Sequence, residues 1–177
     1  MKILKKILLI LAGIIALLLI IAIFIPKDFA TKAEVTINKP AGEVFNYVSH
    51  LKNQDYYSKW NMADMNKKQT FEGTDGTVGF KNAWDGNDDV GAGEQEITAI
   101  VPNQRVDVDL RFKRPMESSM KAYFTTEAID ANTTKVTWGM VGDDSAWPLN
   151  VMNPLMENML AGDMQESLEN LKKKLEK

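Results

Sequence analysis

Hydrophobic residues follow three different patterns along the chain. Ile7 to Ile25 is an unbroken apolar run of nineteen, Gln69 to Val141 alternates apolar and polar positions in short bursts, and beyond Asn150 apolar residues recur every three or four positions. These periods predict, in order, a lipid-compatible helix, a set of half-buried strands and an amphipathic helix.

As a helix the first run would span ~28 Å, close to the ~30 Å hydrocarbon core of a bilayer, with its own backbone groups satisfied internally. Lys2, Lys5 and Lys6 precede it and Pro26-Lys27-Asp28 follow. The positive-inside bias then places the amino terminus in the cytoplasm and everything after the helix outside. A cleaved secretory signal is the competing reading. Its apolar region would normally be ~7–15 residues long and be followed by small residues at alternate positions. This run is longer and ends Phe24-Ile25-Pro26, Asp28 sits two residues before Ala30, and no cysteine exists to accept a lipid. An uncleaved anchor on a bacterial single-pass protein is the expectation, with residues 1–32 as cytoplasmic tail, anchor and short link, and 33–177 as one folded domain.

Within the domain, Ala33 to Ile37 alternates as a short strand. Asn38-Lys39-Pro40 then predicts a helix start, with Asn38 as cap and Val44, Phe45 and Val48 on one face. Asn53 to Trp60 predicts a second short helix or an irregular turn. Val78, Phe80, Asn82 and Trp84 share a strand face, Gly91-Ala92-Gly93 leads into Glu94 to Val101, and Pro102-Asn103 makes a turn. Arg105 to Phe112 alternates most cleanly, with Val106, Val108, Leu110 and Phe112 opposite Arg105, Asp107, Asp109 and Arg111. Ser118 to Ala128 and Thr134 to Val141 continue the meander across a turn at Asp130-Ala131-Asn132. A final helix from about Asn150 to Leu175 carries Met152, Leu155, Met156, Met159, Leu160, Met164, Leu168, Leu171 and Leu175 as one stripe. A half-buried antiparallel sheet is its natural partner, so the expected architecture is α+β, a curved sheet wrapped around a long C-terminal helix.

Charge narrows the partners. The chain carries −3 overall, and beyond the anchor eighteen basic residues face twenty-four acidic ones, a net of −6. That argues against nucleic acid, whose phosphates need a basic face, and against broad adhesion to anionic headgroups. With no cysteine, the domain relies on its core even where disulfides would be allowed.

Five short stretches together resemble the helix-grip fold of the START-like (SRPBCC) superfamily, in particular its polyketide cyclase/dehydrase-like branch. They are Ile37-Asn38-Lys39-Pro40-Ala41-Gly42-Glu43-Val44-Phe45, Trp60, Gly91-x-Gly93, Val101-Pro102-Asn103-Gln104-Arg105-Val106 and Thr134-Lys135-Val136-Thr137-Trp138. Each is weak alone; their order and spacing carry the likeness over Ala33 to Lys177. The resemblance implies a hydrophobic cavity between sheet and final helix. Lipids, hormones or polyketides occupy it across the superfamily, which includes binders and enzymes alike.

Strand parity and the helical stripe nominate the lining of such a cavity: Val78, Phe80, Asn82, Trp84, Val108, Leu110, Phe112, Met120, Phe124, Trp138 and Met140 from the sheet, and Met152, Met156 and Met159 from the helix. Methionine suits adaptable pockets but equally fills irregular cores. Asn82 stands out as the polar residue among apolar neighbours, placed to orient a ligand or to bond backbone at a bend. The single histidine, His50, ends the first helix and is expected to meet its terminal carbonyls; no histidine–cysteine cluster has zinc spacing, and no metal or other cofactor is implied. Asp85 to Glu96 reproduces part of a calcium loop, but Val90 stands where the sharp turn needs glycine, so a solvated turn is expected. Asp143-Asp144-Ser145-Ala146-Trp147-Pro148 could form a lid over a cavity mouth or merely lead into the helix. Lys172-Lys173-Lys174 suits the negative end of that helix.

The function expected from the sequence is binding of a small hydrophobic molecule beside the membrane, with no catalytic residue required. The alternatives are a cyclase or hydratase acting on such a ligand, with Asn82, Tyr123 and nearby carboxylates as the nameable groups, or a protein-interaction module with a filled core.

Overall fold

The structure is a computed structural model describing residues 2–142 and 145–177. An apolar helix, α1 (Lys2–Phe24), precedes the domain. It is long and apolar enough to cross a membrane, a test that a signal sequence also passes. Strand β1 (Phe29–Ile37) follows, then α2 (Ala41–Ser49), a 3-10 turn at Leu51–Tyr56 and the one-turn helix α3 (Lys59–Met62). Six more strands come next: β2 (Lys68–Glu72), β3 (Lys81–Asp85), β4 (Ala92–Val101), β5 (Arg105–Arg114), β6 (Ser118–Asp130) and β7 (Thr133–Gly142). A second 3-10 turn, Leu149–Met152, leads into α4 (Asn153–Leu175).

The seven strands form one antiparallel sheet in the order β1-β7-β6-β5-β4-β3-β2. Irregularities in the β4–β5 pairing at Ala92/Gly93 and Ile97/Ala99 add local twist, which helps such a sheet curl. Its two faces differ as the alternation predicts. The outer face carries ionic ladders, with Arg111 reaching Glu94 and Glu96 at 3.0 and 3.1 Å. Arg105 pairs with Asp107 there and lies 4.2 Å above the Tyr123 ring. The inner face buries Ile97, Val106, Val108, Ala122, Phe124, Val136 and Trp138 against Val44 and Val48 of α2, Leu51 and Tyr57, and Met164, Leu168 and Leu171 of α4.

Several boundaries differ from the sequence expectation, each for a local reason. β1 begins at Phe29 because its first residues pair with the end of β7, Phe29 opposite Gly142 and Lys32 opposite Gly139. Asn38 does not cap α2: Pro40 occupies the cap position, and the Asn38 amide donates instead to Glu176. Val78 lies in a loop and is 59% exposed, because Gly76 and Gly79 on either side adopt positive φ and break the alternation before β3 starts. The helical stripe divides. Met164, Leu168 and Leu171 enter the core, whereas Met152, Leu155, Met156 and Met159 remain exposed, so this face of the first two turns of α4 finds no covering partner among the described residues.

Candidate functional site

The concave face of the sheet does not close fully against the helices. An apolar pocket of ≈ 260 Å³ remains, floored by six strands, β2 through Gln69 alone, and roofed by the Leu51–Tyr56 segment, α3 and Leu160 of α4. Asn82 and Trp84 reach it from β3, Gln95 from β4, Val108, Leu110 and Phe112 from β5, Met120, Ala122 and Phe124 from β6, and Trp138 and Met140 from β7. The period-2 alternation is what delivers these side chains together, since every second residue of each strand faces inward.

Nine of the residues nominated from sequence therefore surround one space: Asn82, Trp84, Val108, Leu110, Phe112, Met120, Phe124, Trp138 and Met140. Five do not. Phe80 is fully buried in the core and stacks on Phe71 instead, and Val78 sits in its loop. Met152, Met156 and Met159 lie outside because the final helix offers only Leu160 to the pocket. Sequence reasoning missed the roof residues Gln54, Ser58, Trp60 and Asn61 as lining, since a short 3-10 turn followed by a one-turn helix has no periodic signature that fixes an inward face.

The roof is pinned to α4. Lys59 bridges Asp163 and Glu166 at 2.8 Å each, its backbone amide donates to Ser167, and the Trp60 indole donates to Asp163. Those carboxylates, Asp163 foremost, hold the Lys59 ammonium above its ordinary pKa. This fixes Trp60 edge-on against Trp138, 5.5 Å between ring centroids, while Trp138 stacks on Phe124 at 4.7 Å.

Polar groups gather at one part of this wall. Gln95 donates to Gln54 across the buried interior at 3.0 Å. Lys67, whose side chain is only 5% exposed, contacts Asp55 at 3.0 Å and donates to the carbonyls of Asn61 and Asp64. Asp55 also accepts from Asn61 and Gln69. The charge there is thus matched within the protein. Two buried polar atoms on lining residues have no partner among the described residues: Asn82 Oδ1 and Trp138 Nε1. Tyr57, buried behind Trp138, likewise has an unpaired hydroxyl, and burial pushes its phenol far above the usual range.

The remaining features of interest take structural roles. His50 Nδ1 lies 2.7 Å from the Asn46 carbonyl at the end of α2. In the acidic hairpin, Asn87 Oδ1 accepts from the amides of Asp89 and Val90 as a local turn, and Asp85 pairs with Arg114. Among the described residues, no three histidine, cysteine or acidic side chains converge on a metal-sized site. Asp143 and Asp144 lie outside the described residues; Trp147 of the same loop is half exposed and lies away from the pocket lining.

This arrangement of curved sheet, long C-terminal helix and intervening apolar pocket defines the helix-grip class. Residues 28–176 match the family described as polyketide cyclase / dehydrase and lipid transport, and the chain belongs to that family. Solved structures agree on the fold. A truncated norcoclaurine synthase from Thalictrum flavum superposes with a TM-score of 0.63 at 9% identity, covering 84% of this chain and 93% of its own. A Chromobacterium violaceum protein gives 0.59 at 14% identity, with 84% and 97% covered. A Mesorhizobium loti protein gives 0.60 at 15% identity, with 82% and 96% covered. No curated protein sequence matches the chain. Family and fold support a ligand-binding domain.

Proposed function

We propose that the domain binds a small, neutral, largely apolar molecule carrying one hydroxyl or carbonyl group. The observation that carries this reading is the pair of unpartnered buried atoms, Asn82 Oδ1 and Trp138 Nε1, on residues lining an otherwise apolar pocket. An acceptor and a donor left unpaired in such a wall cost stability unless something completes them. A ligand hydroxyl would donate to the first and a ligand oxygen would accept from the second, the two lying on β3 and β7, four strand spacings apart along the curved sheet. Size points the same way. A cavity of ~150 Å³ holds one benzene ring, so ≈ 260 Å³ suits a molecule of about two rings or a short isoprenoid, whereas a two-chain lipid would protrude.

In this reading α1 is an uncleaved anchor, the amino terminus is cytoplasmic, and the domain works at the outer face of the membrane. The three lysines in the first turns of α1, ahead of its apolar run, support that orientation. A cyclase or hydratase would need a proton donor or acceptor free to meet the ligand. Two of the three ionic groups that line this pocket are instead engaged, Lys67 with Asp55 and Arg114 with Asp85, and the third, Asp89, is solvent-exposed in the β3–β4 loop, which favours binding over catalysis. An interaction module with a filled core is disfavoured by the open pocket itself.

The full-length chain, expressed in a bacterial host and released from detergent for native mass spectrometry before and after solvent extraction, tests this. A retained neutral mass of a few hundred daltons, lost together with thermal stability on extraction, is the expected result. A clean apo mass with unchanged stability would overturn it.

A further inference from the structure

The exposed half of the α4 stripe is an apolar surface without a partner among the described residues, and its position relative to α1 indicates what covers it. Asn150 donates from one side-chain amide to the carbonyls of Ala22 and Ile25, both at 2.7 Å. Asn153 donates likewise to Pro26 and Lys27 at 3.1 and 3.0 Å. These carbonyls belong to the C-terminal end of α1 and the turn after it, where a helix leaves oxygens unsatisfied. Ala22 is buried at this contact. The start of α4 is therefore tied, by two side chains, to the point at which the apolar helix ends.

Distance follows from this tie. Met159 lies six residues beyond Asn153, ~9 Å along the helix axis at 1.5 Å per residue, and Met152, Leu155 and Met156 lie nearer. The headgroup region on each side of a bilayer is of the same order, roughly 5–8 Å deep. Wherever α1 leaves the hydrocarbon, the stripe cannot be far above that level. The exposures are large, 65% for Leu149 and 61% for Met159, and the residues at 152, 155, 156 and 159 repeat on one helical face.

We propose that Leu149, Met152, Leu155, Met156 and Met159 form a membrane-docking face that rests in the headgroup and upper acyl region of the bilayer crossed by α1. The inference rests on the reading of α1 as an uncleaved span. Apolar side chains rather than charge make the contact, so anionic lipid is not required, in keeping with the acidic domain. Leu160, the next residue along α4, lines the pocket, so docking brings this one edge of the lining to within about 10 Å of the same level along the helix axis.

The absence of cysteine makes a clean test possible. Single-cysteine variants of the full-length chain, Met156→Cys and Met159→Cys, carry an environment-sensitive nitrobenzoxadiazole label. They are reconstituted in phosphatidylcholine vesicles with and without phosphatidylglycerol and read against lipids bearing shallow or deep doxyl quenchers. Asn132→Cys, on the β6–β7 turn at the far end of the sheet, reports the solvent-facing end, and Ile15→Cys reports α1. The expected result is a blue-shifted, severalfold brighter signal at 156 and 159, lost on shallow doxyl lipid and indifferent to phosphatidylglycerol, with deep quenching at 15 and none at 132. Deep quenching at 15 with water-like spectra at 156 and 159 overturns the docking face and leaves the anchor reading intact. No quenching at 15 overturns both. Label self-quenching at 156 without lipid quenching overturns it in favour of a second copy of the chain.

Discussion

Replacing Asn82 with leucine should make the protein more stable and a poorer binder at once. Asn82 is 2% exposed, its side-chain oxygen has no partner, and it borders the pocket. Removing an unpaired buried acceptor recovers its desolvation penalty, about 1–3 kcal/mol. The forked side chain of leucine is bulkier, and overpacking can cost as much in a filled core. Here the adjoining space of ≈ 260 Å³ takes up the extra volume, so the gain should survive. For a chain of this length each kcal/mol moves the melting point by ~2–4 °C, so a rise of roughly 3–10 °C is expected. The assay is thermal unfolding by circular dichroism of wild type and Asn82→Leu, both after solvent extraction so that neither carries ligand. With ligand restored, the variant should bind about tenfold more weakly, the equivalent of one lost hydrogen bond of ~1.4 kcal/mol. A melting point clearly below that of wild type would refute the reasoning, because it would mean that the Asn82 amide is already engaged in the resting protein.

Two further outcomes follow from the same structure. Tyr57 is fully buried with its phenol held neutral, so its folded pKa lies above that of the unfolded chain. The unfolded state then loses a proton first as pH rises. Stability from this group is complete below about pH 10 and falls above it by ~1.4 kcal/mol per pH unit, a slope that melting curves between pH 9 and 11 should show and that Tyr57→Phe should flatten. Gly91 adopts φ +67°, and a Cβ there would lie 2.4 Å from the Arg114 carbonyl oxygen. Gly91→Ala should therefore destabilise the chain by on the order of 2 kcal/mol, and an unchanged denaturation midpoint in urea would contradict this.

How far the sequence reaches can be seen in particular residues. Val106, Val108, Leu110 and Phe112 lie on the inner face because period-2 alternation leaves a strand no other way to bury them, and the same logic places Phe124, Trp138 and Met140. It fails at Val78, where parity carried back across Gly79 meets a glycine whose positive φ reverses the chain locally. It fails again along α4. A stripe at three- and four-residue steps says that a helix has an apolar face, not how much of that face another element is long enough to cover. Met164 and Met159 look alike in sequence, and only packing separates them, one buried in the core and the other exposed. The pocket roof was illegible for a different reason: Gln54, Lys59 and Trp60 are placed by ties to Gln95, Ser167 and Asp163, contacts between distant segments.

The topology also sets an order of events for the growing chain. β1 is the first strand made, yet its neighbour in the sheet is β7, the last, with Phe29 opposite Gly142. The opening strand must wait, unpaired, for almost the whole domain to arrive, and α4 follows later still. Pairings of such long sequence separation form slowly because the loop must close before any contact rewards it. The β2-to-β6 meander can assemble locally in the meantime, leaving β1 and β7 to seal the edge. Truncation anywhere in the last strand would leave the first one without its partner, so closure of the sheet requires the chain through Gly142.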